Sequence, residues 1–301
     1  MNKIVAKKVI ISILELCIQK FSMEKYLFFE LIIFIVAVLG GGIGAVIGLG
    51  GGLVITPLLT TVLGVPLHYA IGASLVAIIC TSTATSLVSL QSHGLTKEKL
   101  GLFLALATAV GAIFGAKLAV MLRAKVLFLI FSGILIVVAI LSFIKKKSNA
   151  ETKPPKQSFI ANKLQLNDSV VIAGQKQDYN VNHPIIGFIF MAGAGFIGGL
   201  LGIGAGIFKV VAMDKIMKIP FRVSASTSNF IMGVTAFAAT STYYFAGYID
   251  SSITAAVALG TLLGATIGSK LMPHIPTKAL RLMFFIVVFI SAIQMIIKGL
   301  V

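Results

Sequence analysis

Apolar residues in this chain come in long uninterrupted runs. Segments 27–48, 68–91, 98–121, 125–144, 184–203, 223–246, 250–272 and 278–299 are each apolar throughout, with charge confined almost entirely to their ends. A helix needs about 20 predominantly apolar residues to cross a bilayer, so the pattern predicts about eight transmembrane helices. Two shorter apolar pieces, 53–64 and 206–217, follow the first and fifth runs. At ~1.5 Å per residue each reaches about 18 Å and reads as a half-helix. Apolarity without alternation excludes a β-barrel, whose strands turn every second residue to a polar lumen.

Composition supports the same class. With 58% hydrophobic and 11% charged residues and a mean hydropathy of +1.05, the chain lacks the polar surface of a water-soluble globule. The sequence describes an all-α integral membrane protein, multi-pass in the plasma membrane. Its net charge of +16 is carried at helix ends and in loops, where Lys and Arg set topology, so it indicates no nucleic-acid partner. Residues 1–25 form a basic N-terminal segment with a further use for charge, contact with anionic lipid. Residues 1–22 start like a signal peptide, but Glu15 interrupts the apolar stretch and no A-x-A-like cleavage site follows. The segment reads as an interfacial helix or as an extension upstream of Met23. Cys17 and Cys80 lie in apolar surroundings without a partner motif, which points to neither disulfide nor metal, and no cofactor is expected.

The chain is an internal duplication. In "GAVIGLGGGLVITPLLTTVLGVPLHYAIGAS" (44–74) and "GGLLGIGAGIFKVVAMDKIMKIPFRVSASTS" (198–228), Gly44, Gly48, Gly50, Gly52, Pro66 and Ser74 fall on Gly198, Gly202, Gly204, Gly206, Pro220 and Ser228. One residue of slip later, Gly111, Gly115 and Lys117 fall on Gly264, Gly268 and Lys270. Repeat 1 covers 26–144 and repeat 2 covers 184–301, joined by the polar linker 145–183. Within that linker Ser169–Ala173 and the turn-like Gly174-Gln175 predict at most a small hairpin outside the bilayer. The Lys and Arg distribution scores parallel and inverted arrangements of the repeats almost equally, so sidedness stays open.

Each repeat carries a Gly-rich break followed by a short half-helix. Irregular backbone at membrane depth persists only where protein or a water-filled cavity surrounds it. Interrupted helices at matching places in two repeats point to a transport site, with N–H groups and positive dipole ends aimed at an anion. Gly50, Gly51, Gly52, Gly204 and Gly206 are the candidate backbone ligands. The Gly111/Gly115 and Gly264/Gly268 pairs, by contrast, have the spacing of close helix packing. Neither glycine run spells a nucleotide fingerprint, which argues against direct ATP hydrolysis.

Lys209 stands beside the second break, and a charge within a span is a functional-site candidate by default. The competing reading pairs it with Asp214 or sends it to an interface. Ser74 and the cluster Thr227, Ser228 and Asn229 at the start of a span either cap a helix or offer neutral hydrogen bonds to a ligand. The run "CTSTATS" at 80–86 either lines a pathway or bonds its own backbone. Lys117 and Lys270 lie near span ends within reach of headgroups.

The patterns "GLGGGLVITPLLTTVLGVPLHYAIGASLV", "GLLGIGAGIFKVVAMDKIMKIPFRVSASTSNFIMGVTA" and "ALGTLLGATIGSKL" resemble the TauE/SafE sulfite exporter family of bacterial and archaeal membrane proteins, over about residues 27–300. The resemblance implies a secondary transporter of small sulfur-containing anions, such as sulfite or an organosulfonate like sulfoacetate. The halves differ where Ile55-Thr56-Pro57 corresponds to Lys209-Val210-Val211, so the expected site is asymmetric and cationic on one side. Expected partners are a small anionic substrate, the lipid bilayer, a coupling ion (H+ or Na+) and a second copy in a homo-oligomer. The alternatives are a transporter of another small anion such as a carboxylate and, from other classes, an intramembrane enzyme or a structural membrane subunit. An enzyme would need a catalytic set within the spans, yet His68, His93, His183 and His274 all sit at loops or helix ends.

Overall fold

The computed structural model describes residues 28–46, 50–93, 97–143, 166, 168–172, 175–271 and 277–300. The basic segment 1–25, Gly48, Gly94, His274 and most of the linker lie outside the described residues.

Among the described residues, eight long helices fall on the eight apolar runs in chain order. They are α1 (Phe28–Val46), α3 (Leu67–His93), α4 (Glu98–Met121), α5 (Ala124–Phe143), α6 (Pro184–Leu201), α8 (Phe221–Phe245), α9 (Ser251–Leu271) and α10 (Thr277–Leu300). Between them stand two short helices, α2 (Gly52–Thr61) and α7 (Gly206–Val211). Counting described residues alone, five of the helices, α1, α3, α4, α6 and α9, contain spans long and apolar enough to cross a membrane. Large apolar side chains such as Leu106, Phe114, Ile189 and Phe237 are exposed along the flanks, as lipid contact requires.

Local chemistry sets the ends. Pro184 opens α6, where its missing N–H costs nothing. The Asp250 carboxylate accepts the backbone N–H groups of Ser252 and Ile253 at 3.0 Å each and so caps α9. The second short element differs from the single half-helix expected over 206–217. Only six residues are α-helical, and Ala212–Ile216 continue as a π-helical turn in which Met217 N–H reaches back to the carbonyl of Ala212 at 3.1 Å. The polar linker supplies an antiparallel hairpin, β1 (Asp168–Ile172) and β2 (Gln175–Tyr179), with Val170 opposite Gln177.

The helix packing crosses between the two halves. A side chain at Gly111 or Gly115 on α4 would collide with the carbonyl oxygens of Ala192 and Phe196 on α6. A side chain at Gly264 or Gly268 on α9 would collide with those of Val38 and Gly42 on α1. Reciprocally, a Cβ at Gly195 would lie 2.6 Å from Cα of Thr108, and one at Gly41 2.7 Å from Cα of Thr261. Every contact in the first set maps onto one in the second by the 153–154-residue offset of the sequence duplication. The first helix of each half is thus clasped by the glycine pair of the other half. In lipid, where apolar burial gives helices little reason to associate, such backbone contact is what holds them together.

Candidate functional site

The two breaks lie in the interior and touch. In the first, Gly50 and Gly51 take φ of 68° and 43°; in the second, Gly202, Gly204 and Ala205 take 64°, 67° and 49°. This left-handed region suits glycine, which has no Cβ to clash. A Cβ at Gly52 would sit 2.5 Å from the carbonyl oxygen of Gly202, so the start of α2 abuts the end of α6. Gly50 and Gly204 each face the same two side chains, Ile78 of α3 and Met232 of α8. The described glycines of both breaks, Gly50, Gly51, Gly52, Gly204 and Gly206, are buried, and the irregular backbone is shielded from lipid as it must be.

Lys209 extends from α7 into the packing between α8 and α4. It is completely buried, and its Nζ donates to Thr235 Oγ1 at 2.7 Å. Thr235 in turn bonds Thr108 Oγ1 at 2.9 Å and the carbonyl of Ile231 at 2.7 Å. Asp214 does not serve Lys209: its carboxylate pairs with Lys215 at 2.8 Å, with both side chains partly exposed. Nor does the ammonium reach an interface. Burying a lysine without a charged partner is expensive, and a hydroxyl is a weak counterpart for its Nζ. Ile55 occupies the corresponding place in the first half and is fully buried. Thr81 and Thr261 correspond there to Thr235 and Thr108, so Lys209 is the departure from the shared plan.

The remaining predicted residues divide by partner. Ser74 accepts a 2.7 Å hydrogen bond from Thr56 Oγ1, which ties the start of α3 to α2, and both are buried. Ser228 Oγ donates to the carbonyl of Gly206 at 3.3 Å and ties α8 to α7 in the equivalent way. Thr227 Oγ1 accepts the backbone N–H of Lys97 at 3.3 Å, on the side of α8 facing the start of α4. Asn229 contributes its backbone carbonyl, which accepts from Ser82 Oγ. In the 80–86 run, Thr81, Thr83 and Thr85 bond carbonyls three or four residues back in their own helix, while Ser82 reaches α8 and Cys80 bonds Thr261 of α9. Lys117 and Lys270 are exposed on the flanks. The glycines of the two breaks and Ser228 therefore meet in one region, Lys209 leaves the start of α7 for Thr235, and Thr227 serves a helix start.

Sequence reasoning did not single out Thr235, Thr108, Ile78 or Met232. Thr235 and Thr108 are isolated hydroxyls in apolar helices. The signal that finds Ile78 and Met232 is their 154-residue separation, which makes them counterparts.

A family model described as Sulfite exporter TauE/SafE matches residues 33–295. The chain is 27% identical over 275 residues to "Probable membrane transporter protein YunE" of Bacillus subtilis (strain 168), covering 89% of this chain and 97% of the relative. It is 28% identical over 252 residues to "Probable membrane transporter protein YdhB" of the same organism, covering 83% and 92%. No solved structure matches.

Proposed function

The chain belongs to the sulfite exporter TauE/SafE family of membrane transporters, and from that premise we propose that it is a secondary transporter of small sulfur-containing anions such as sulfite or sulfoacetate. It works without catalysis in the plasma membrane. The observation that carries the reading is Lys209, a fully buried lysine one turn into the short helix that follows a glycine break, with its Nζ bonded to a hydroxyl and to no carboxylate among the described residues. A cation so placed is stabilised by an anion that visits. Gly50, Gly51, Gly204 and Gly206 supply backbone donors on the other sides, Gly52 lines the first break with its N–H turned to the carbonyl of Gly50, and Ser74 and Ser228 brace the two short helices. Thr227 and Asn229 stand at the edge of this arrangement, through α4 and the backbone respectively.

The coupling ion is H+ or Na+, and the working unit is a homo-oligomer. A small carboxylate is the second substrate reading, favoured by the same cation and donors.

The test is thermal stabilisation of the purified protein by sulfite, thiosulfate, sulfate, sulfoacetate, taurine and simple carboxylates, since a ligand that binds the folded state raises its apparent stability. A shift with sulfur oxyanions or sulfonates that disappears in Lys209→Ala supports the assignment. A shift confined to carboxylates selects the second reading, and no shift with any of them overturns both.

A further inference from the structure

Between the two breaks the interior is filled by two apolar side chains. A Cβ at Gly50 would meet Met232 Sδ at 3.3 Å and Ile78 Cγ2 at 3.5 Å. A Cβ at Gly204 would meet Met232 Sδ at 3.3 Å and Ile78 Cδ1 at 3.4 Å. Ile78 and Met232 are counterparts in the duplication, and both are buried. The same pair therefore covers both breaks, at the centre of the two-fold relation between the halves.

The two members are not equivalent mechanically. Ile78 is branched at Cβ and stiff at χ1, and it is also wedged against the other side of the first break, where a Cβ at Gly52 would lie 2.6 Å from its Cδ1. Met232 is unbranched and adaptable. It sits one turn before Thr235 on the same face of α8, and its thioether lies against both breaks.

Resting on the reading that the breaks and Lys209 hold the substrate, we propose that Met232 and Ile78 close over the anion position and that Met232 is the movable member, which sets by size which anions pass. Ile78 forms the fixed wall. Swinging the Met232 thioether aside opens the route from Gly50 and Gly204 to Lys209. The room it vacates, rather than the number of donors, decides between a compact oxyanion and an extended organosulfonate.

The experiment measures initial rates of labelled sulfite and sulfoacetate entry into proteoliposomes for wild type, Met232→Ala and Met232→Ile. Met232→Ala is expected to raise the sulfoacetate-to-sulfite rate ratio by about tenfold or more, the scale on which a pocket registers a missing methylene group or two. Met232→Ile keeps the bulk but stiffens it; its turnover is expected to fall for both anions while the anion-induced thermal shift is retained. An unchanged rate ratio in Met232→Ala, or wild-type turnover in Met232→Ile, overturns the closure and leaves the transport reading intact. A wild-type protein that carries neither anion and shows no thermal shift overturns the transport reading, and the closure with it.

Discussion

The Nζ of Lys209 lies 2.7 Å from the hydroxyl of Thr235, in a position with no exposure at all. This pairing joins the short helix after the second break to the middle of α8. A lysine placed for stability would have a carboxylate or a path to water, and among the described residues its hydrogen-bond partner is a threonine. Stability and the proposed anion contact therefore make opposing demands at this position, and that opposition can be measured.

Replacing Lys209 by the residue of the other half, Lys209→Ile, separates the two demands. Apolar replacement of buried charged groups is often neutral or stabilising by about 1–4 kcal/mol. The variant is expected to melt at or above the wild-type Tm in detergent while losing the anion-induced shift. A large fall in Tm would instead make Lys209 structural.

Thr235→Val keeps the shape and removes the hydroxyl, leaving the ammonium without that acceptor. A buried donor left unsatisfied costs about 1–3 kcal/mol, so Tm should fall, and Thr235→Ser should restore it. The same substitution at the counterpart, Thr81→Val, removes a hydroxyl that bonds the carbonyl of Ile78 in its own helix and is expected to change Tm less.

The crossed packing predicts matched penalties in the two halves. Gly111→Ala and Gly264→Ala each place a methyl group against a carbonyl of the first helix of the opposite half, and each should cost about 1–3 kcal/mol as an overpacked contact. Gly133 and Gly193 have open space where a Cβ would go. Their alanine variants should be neutral or stabilised by up to about 1 kcal/mol, because alanine is the better helix former. Thermal melts of the four purified variants check the pattern, and a penalty in one clasp without the other would break the two-fold relation.

The Thr56 and Ser74 hydroxyls bond each other in a buried setting. Ser74→Ala or Thr56→Val alone should destabilise more than half as much as the double variant, because each single change removes the partner and strands a polar group. A double-mutant cycle on Tm reads the coupling directly, and strict additivity would show that the pair is not linked.

Much of this protein is written in one dimension. Its eight long helices follow from apolar runs of bilayer length, because a backbone in hydrocarbon has to satisfy its own hydrogen bonds and a helix does so locally. The breaks at Gly50–Gly51 and Gly202–Ala205 are legible for a related reason: glycine density marks backbone that leaves the helical region. Even the hairpin over 168–179 shows as a β-flavoured piece before a turn. The extent of α7 was not legible, since an α-to-π change at Ala212 depends on how Met217 and Ile219 are anchored rather than on their own preferences.

Contacts at long separation were decided by the tertiary structure alone. The glycine pairs of α4 and α9 read as packing motifs, but a sequence cannot state that each grips the opening helix of the opposite half. Lys209 stood out as a charge in a span, yet whether it met Asp214, lipid or Thr235 depended on where α8 passes. Ile78 and Met232 were invisible as site residues because nothing distinguishes them from other apolar helix positions until the two breaks are brought against them. Local backbone needs are carried by neighbouring residues and can be read from them; the meeting of two halves is a property of the folded bundle, where packing geometry selects which side chains share the centre.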